Sequence, residues 1–344
     1  MSEYRDHNSY TMPIVVIIIF SIIGIICWKV FAPNTGSLKN GEYLFVHTHT
    51  KYPQLLQQLE DGGYVADLTS FKLLGWQCQM RTHVHPGRYH IKKGMSNYAL
   101  IKMLRAGHQE PVRLVINKLR TKNDFIRLLS ANLECDSAQV AFFMNDPGYL
   151  DQFGLDTGNV MASIMPDTYE FYWNINADHA YRKILDNYTR FWDKKHLAKL
   201  DKKDLNKMQA IIIASIVEEE TNVAGDKPNI ASVYINRLRK GMKLQADPTV
   251  KFAIGDFAIK RVTGDMLKTD SRYNTYLYDG LPPGPICTPS VATIEAVLEA
   301  PETNYLYFCA KADFSGQSAF AKTMDDQLKN ARAYQKALNA KGIH

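Results

Sequence analysis

The sequence predicts an α+β protein: an N-terminal transmembrane helix, a small α+β module and then a larger mixed α+β domain. Three observations predict it. No charged residue lies between Met12 and Trp28. Between residues 42 and 116, short segments of strand character alternate with short helical ones. Beyond residue 180 the pattern turns to long helical stretches, and strand character returns only near the C-terminus. With 344 residues, 46% hydrophobic and 22% charged, the chain can fill one large or two modest cores, which excludes wholesale disorder.

Residues 12–32 would measure about 32 Å as a helix at 1.5 Å per residue, enough to cross a bilayer, with Lys29 able to snorkel. Their IVVIIIFSIIGIIC segment is apolar on every face, which suits lipid or a deeply buried core helix but not a protein surface. Val30-Phe31-Ala32 resembles a signal cleavage site, yet Pro33 directly after it and the length of the run favour an anchor. Lipid attachment at Cys27 is disfavoured by bulky Ile25 and Ile26 before it. Residues 1–11 form a short tail. Arg5 precedes the span while Lys29 and Lys39 follow it, so charge alone does not orient it.

After the span, residues 42–48 read as a strand, and 52–59 and 68–74 as two helices parted by Asp61-Gly62-Gly63. Residues 88–92 form a strand, 96–105 a helix closed by Gly107, and 112–116 a further strand, which makes 42–116 one module. A connecting helical region over 117–165 includes a helix at 125–133 and the loop Asn145-Asp146-Pro147-Gly148. The larger domain occupies 166–344. It holds helices at 181–200, 206–220 and 230–240, a turn-rich stretch, a strand at 305–310 and a last helix at 324–338. No solenoid repeat or low-complexity segment interrupts it.

Forty-one Lys+Arg against thirty-five Asp+Glu give a formal charge of +6, without a run of five basic residues, too weak a signature for nucleic acid. The five cysteines stand far apart, with no CxxC or Cys/His ligand spacing, and HExxH is absent, so neither a zinc site nor a disulfide framework is indicated. His47, His49, His83, His85 and His90 fall where strand alternation explains their spacing at least as well as metal binding does.

Residues 211–221 are the most informative. Ile211 to Val217 would be apolar around the whole helix and must be buried, and three carboxylates then arrive at its C-terminal end, against the helix dipole. On a 100° wheel Glu218 falls between the small Ala214 and Ser215, Glu219 beside Ile212 and Ser215, and Glu220 beside Ile213 and Ile216. Only Glu218 has room on both sides. A carboxyl in apolar surroundings is expected to have a raised pKa and to hold a proton near neutrality, as an acid for a leaving oxygen requires. A solvated acidic helix end is the other reading. Gln245 and Asp247 stand two residues apart just before Pro248, which predicts extended or turning backbone able to line a groove. Tyr273-Asn274-Thr275-Tyr276 and the rigid Gly280-Leu281-Pro282-Pro283-Gly284-Pro285-Ile286 suit the stacking and hydroxyl bonding of sugars, although ordinary loops share this composition. No P-loop, Rossmann fingerprint or nucleophile elbow is present.

These segments, in this order and together with Val233-Tyr234-Ile235-Asn236-Arg237-Leu238, resemble those of membrane-bound endolytic murein transglycosylases, the MltG-like or YceG-like proteins. Residues 166–173 are similar to the segment before that family's catalytic core, and 42–116 to its LysM-like part. The resemblance implies a lytic transglycosylase domain over 166–344 acting on peptidoglycan glycan strands without a cofactor. It also implies a cytoplasmic N-terminus, an inner-membrane anchor and a periplasmic body in a Gram-negative cell, beside peptidoglycan synthases. It assigns Glu218 as the catalytic acid/base and places Glu220, Gln245, Asp247, Tyr273, Asn274 and Thr275 around the substrate cleft. One departure is local: where the family usually has Gly-x-His-x-Phe and a later His, this chain has Ser318 and Gln327.

The implied reaction cuts the β-1,4 bond between N-acetylmuramic acid and N-acetylglucosamine within a strand. It leaves 1,6-anhydro ends, and so terminates nascent strands. Two alternatives stay open at this stage. One is a hydrolytic muramidase using Asp247 or Glu220 as a second carboxylate. The other is a membrane-tethered, non-catalytic peptidoglycan-binding scaffold.

Overall fold

A computed structural model describes residues 11–341; the expected tail lies outside the described residues, except for Thr11. The chain forms two compact units. One runs to Val112 and includes Asn132–Glu134 and Glu170–Ile175; the other holds Arg113–Ala131, Cys135–Tyr169 and the chain from Asn176 onward.

The first unit begins with α1 (Thr11–Phe31). Within Met12–Phe31 an 18-residue window has a mean hydropathy of 2.8 and none of it is buried within the protein, so its apolar faces suit a membrane. Then follow β1 (Tyr43–Val46), α2 (Tyr52–Asp61), α3 (Leu68–Gln77), β2 (Gly87–His90) and α4 (Asn97–Ala106); β3 (Val112–Ile116) starts at the unit's last residue and continues into the second. β1 and β2 pair antiparallel, with Tyr43 opposite His90 and Val46 opposite Gly87. Asp67 caps α3 by accepting the Ser70 N–H, Ser96 caps α4 by accepting the Ala99 N–H, and Gly107, at φ +67°, ends α4 in the left-handed region that glycine tolerates. Leu55, Leu59, Phe71, Tyr89, Leu100 and Leu104 fill the core. The strand histidines answer to carboxylates: His90 lies 3.1 Å from Glu42 and 3.2 Å from Glu110, and His47 lies 3.0 Å from Glu134.

The second element series comprises α5 (Lys122–Asn132), α6 (Ser137–Asn145), α7 (Pro147–Asp151), β4 (Asp167–Phe171), α8 (Ala177–Phe191), α9 (Lys194–Lys203), α10 (Lys207–Glu220), α11 (Lys227–Arg239), α12 (Asp247–Ile254), α13 (Val291–Leu298), β5 (Tyr307–Ala310), β6 (Ser318–Ala321) and α14 (Met324–Ala340). Three differences from the sequence expectation have local causes. The helix expected over 181–200 is two, because the Asp193 side chain accepts the His196 N–H and starts α9 afresh. The backbone before Pro248 turns at Gln245 and is extended at Ala246, as expected, but a helix then starts at once: proline occupies the first turn of α12, where its missing N–H costs no helical hydrogen bond. The late strand does not stand alone, since β5 pairs antiparallel with β6, Tyr307 opposite Ala321.

α10 lies at the centre of the second unit, against α9, α11, α12 and α13. Every residue from Ala210 to Val217 is buried. Each isoleucine contributes roughly 2–3 kcal/mol by burial, so the helix is held firmly and whatever its end carries is held with it.

Candidate active site

α10 starts on a reciprocal cap. The Asn206 side chain accepts the Gln209 N–H at 2.9 Å, and the Gln209 side chain accepts the Asn206 N–H at 2.8 Å. It ends at Thr221, in extended conformation. Glu218, Glu219 and Glu220 form its last turn and are all partly buried, but at 100° per residue they leave the helix in three directions.

Glu218 points to a set of donors. Lys227 Nζ lies 3.0 Å from its Oε2, the Ser290 hydroxyl donates at 3.0 Å, and the Thr293 hydroxyl donates to the same oxygen. Burial pushes this carboxyl up, but the Thr293 and Lys227 hydrogen bonds, the Lys227 charge and Ser290 outweigh it and hold it below its ordinary value. The raised pKa expected for Glu218 is therefore reversed. The room beside it is also taken: Ser215 Oγ accepts the Ile286 N–H at 3.1 Å, and the Cys287 thiol faces the Ser215 carbonyl at 3.4 Å. Ser215 thus serves to dock the rigid 280–287 loop. Glu219 is likewise paired, 3.0 Å from Lys118 and 3.1 Å from Arg120, and their hydrogen bonds overcome burial and lower it.

Glu220 differs. The Tyr234 hydroxyl donates to its Oε1 at 2.6 Å. Burial raises the Glu220 pKa to about 7; the Tyr234 hydrogen bond opposes this and the nearby Asp247 charge reinforces it. Asp247 is exposed and accepts the Tyr276 hydroxyl at 2.6 Å, and Gln245, two residues before it, is exposed as well. A carboxyl able to hold a proton, a second carboxyl group, an amide and two phenols thus share one neighbourhood. This donor set can protonate a leaving oxygen and bond hydroxyls.

The loops that hold these groups are built from buried polar residues. Arg237 Nη1 donates to the Leu244 carbonyl at 2.8 Å and Nε to the Leu306 carbonyl at 2.7 Å. Gln245 adopts φ +51°, in the left-handed region, and its N–H donates to the Thr275 carbonyl at 3.1 Å. Thr275 Oγ1 accepts the Ala246 N–H at 3.0 Å and pairs with the Thr249 hydroxyl at 2.8 Å. Asn274 donates to the carbonyls of Leu267 and Thr269, both at 2.9 Å.

Of the site residues expected from the sequence, Glu220, Gln245 and Asp247 are brought together. Asn274 and Thr275 are fully buried scaffolding rather than groups facing solvent. Tyr273 is half-buried, its ring 4.6 Å from Phe252 and its hydroxyl donating to the Gly158 carbonyl at 3.3 Å. Glu218 stands apart with Lys227. Tyr234 and Tyr276 were visible within the sequence segments singled out above, but nothing there gave them a partner. Ser318 and Gln327 have local roles: the Ser318 N–H donates to Asp226 at 2.6 Å, and the Gln327 amide donates to the Phe308 carbonyl at 3.0 Å.

Residues 44–333 match the model of the YceG-like family. The chain belongs to that family. A protein of Bacillus subtilis (strain 168) named endolytic murein transglycosylase is 28% identical to this YceG-like chain over 270 residues, 74% of each. A protein of Streptococcus pneumoniae with the same name is 26% identical over 282 residues, 72% of this chain and 50% of its own length. The chain thus spans about half the length of the pneumococcal relative. The crystal structure of a YceG-like protein from Listeria monocytogenes superposes with a TM-score of 0.57 at 26% identity, covering 84% of this chain and 98% of that one.

Proposed function

We propose that this protein is an endolytic murein transglycosylase whose catalytic acid and base is Glu220, in place of the Glu218 expected from the sequence. Membership of the YceG-like family and the names of its relatives support the activity. The assignment of the acid rests on one arrangement: Glu218 and Glu219 are each paired with basic side chains, whereas Glu220 meets the Tyr234 phenol near Asp247, and burial there raises its pKa to about 7.

Protonated Glu220 gives its proton to the glycosidic oxygen as the C1–O4 bond of N-acetylmuramic acid breaks and C1 acquires oxocarbenium character. The resulting carboxylate takes the proton from the muramyl C6 hydroxyl, whose oxygen closes on C1. The product is a 1,6-anhydro end, and no water is consumed. Because the nucleophile belongs to the substrate, proximity supplies part of the rate and one carboxylate suffices. Tyr234 positions the acid, Asp247 keeps its proton on, and Gln245 and Tyr276 bond sugar hydroxyls.

Around that chemistry, α1 serves as a single-pass anchor with a cytoplasmic N-terminus, the body lies in the periplasm, and peptidoglycan synthases work nearby. The strand–helix–helix–strand order of β1, α2, α3 and β2 favours a LysM-like, glycan-holding module. An enzyme placed at the membrane reaches nascent strands and terminates them.

Digestion of defined glycan strands, with the ends weighed by mass spectrometry, tests the proposal. Anhydro ends, one water lighter than reducing ends, are expected from the wild type and none from Glu220→Gln. Reducing ends would instead assign hydrolysis with Asp247 as second carboxylate, and binding of sacculi without soluble fragments would assign a scaffold.

A further inference from the structure

A surface wholly within the first unit lies outside this chemistry. The last turn of α1 is tied to the starts of α3 and α4. Lys29 Nζ meets Asp67 at 2.6 Å, Asn97 Nδ2 donates to the Lys29 carbonyl at 2.9 Å, Asn34 Nδ2 donates to Asn97 Oδ1 at 2.7 Å, and the Asp67 N–H donates to Asn34 Oδ1 at 2.8 Å. Asn34 and Asn97 are buried. The apolar helix therefore passes into the module through a bonded joint rather than a slack linker. At that joint the rings of Phe31 and Tyr98 stand 5.5 Å apart. Beyond it the α3–α4 side exposes Tyr98 (46%), Leu73 (69%) and Trp76 (58%), with Lys72, Lys102 and Arg105 exposed on the same two helices. Tyr98, Lys102, Arg105 and Cys78 line a shallow cavity of 370 Å³ between them.

We propose that this α3–α4 face rests on the bilayer surface, its aromatic and apolar side chains in the headgroup layer and its cations on lipid phosphates. The proposal depends on α1 being a membrane span. If the twenty residues Met12–Phe31 fill the hydrocarbon core, Phe31 marks its edge, and Tyr98 in contact with it stands in the polar layer, which is roughly 5–8 Å deep. Leu73 follows the α3 cap by six residues, at most about 9 Å farther along the helix. Trp76 follows it by nine, about 13 Å, and reaches lipid only if α3 runs along the membrane plane, which makes it the sharper probe. Amphipathic rings concentrate at this depth, and lysine and arginine side chains are attracted to an anionic leaflet.

The test uses the full chain in phosphatidylcholine vesicles containing phosphatidylglycerol. The Trp76 emission is read as the difference between wild type and Trp76→Phe, and the Trp28 emission as the difference from Trp28→Phe. The expected result is that lipid spin-labelled near the headgroup removes half or more of the Trp76 emission while aqueous iodide removes little. Quenching of Trp76 by iodide and not by lipid would overturn the proposal, as would shielding from both, which would mean that another protein copy covers the face. If Trp28 also escapes lipid quenching, the span itself fails and the proposal falls with it; if Trp28 is quenched and Trp76 is not, the bilayer-face proposal alone fails.

Discussion

Glu218 and Glu220 leave α10 two residues apart, about 200° around its axis, and meet different neighbours. Glu218 enters a pocket containing one ammonium and two hydroxyls; Glu220 meets one phenol and the field of another carboxylate. Both lose water on folding, and burial is the largest influence on each. The difference shows that burial alone does not make an acid. The supply of donors decides: Glu218 stays charged and ties α10 to α11 and α13, whereas Glu220 can still hold a proton.

The largest expected effect separates these roles. Glu220→Gln keeps the shape and removes the proton donor, so cleavage of glycan strands, followed by mass spectrometry, is expected to fall about 10²–10⁴-fold with little loss of thermal stability. Glu218→Gln is expected to show the converse. It leaves Lys227 in a mostly buried position without its counter-charge, which costs roughly 3 kcal/mol, on the order of 10 °C in Tm, while folded protein keeps activity within a few-fold. If folded Glu218→Gln is inactive and Glu220→Gln is not, the acid is Glu218 and the comparison inverts.

A smaller stability effect tests the scaffold beneath the site. Thr275→Val preserves shape but removes the acceptor of the Ala246 N–H and the partner of Thr249. Leaving buried polar groups unpaired costs about 1–3 kcal/mol, so a urea midpoint shift at nearly constant m-value is expected. A stable Thr275→Val protein that binds glycan poorly would instead return Thr275 to the substrate-contacting set.

The elements and their order were largely legible because period and caps are local: the 112–116 strand, the Gly107 stop and the Asn206 start need only neighbouring residues. The buried α10 was legible because an all-apolar circumference has no other use in a folded domain. The carboxylate proposed here as the acid was not. The wheel showed space beside Glu218, above Ala214 and Ser215, but whether space is filled by substrate or protein depends on a segment seventy residues away, and here Ile286 fills it. Lys227, Ser290 and Thr293 sit in stretches that announced nothing, and charge pairing across such distances has no local signature. Asn274 looked like a sugar ligand because amides serve both loops and ligands; its burial and its bonds to the Leu267 and Thr269 carbonyls favour the loop role.

The acidity of the site gives the next test. A raised carboxyl loses its proton as pH rises through its shifted value, so with Glu220 at about 7 kcat/KM is expected to fall on the alkaline side of neutrality and to hold on the mildly acidic side. Were Glu218 the acid, held below the ordinary 4.5, the fall would already be complete at neutral pH. The same sign governs stability. The proton on folded Glu220 favours folding at low pH, and this contribution drains away between the unfolded carboxyl's range and about 7. Thermal melts of wild type against Glu220→Gln should therefore diverge as pH rises, with the variant the steadier of the two.

The smallest effects concern the two groups that tune Glu220, and their directions are opposite. The charge of Asp247 raises Glu220 and the Tyr234 hydrogen bond lowers it. Asp247→Asn removes the charge while its amide oxygen still accepts the Tyr276 hydroxyl, so the alkaline limb of the pH–rate profile is expected to move to lower pH with little change in KM. Tyr234→Phe removes the donor that stabilises the carboxylate, so the limb moves to higher pH. A merely structural role for either residue would lower activity at every pH and leave the limb in place. Movement of both limbs in one direction would separate Glu220 from its assigned neighbours.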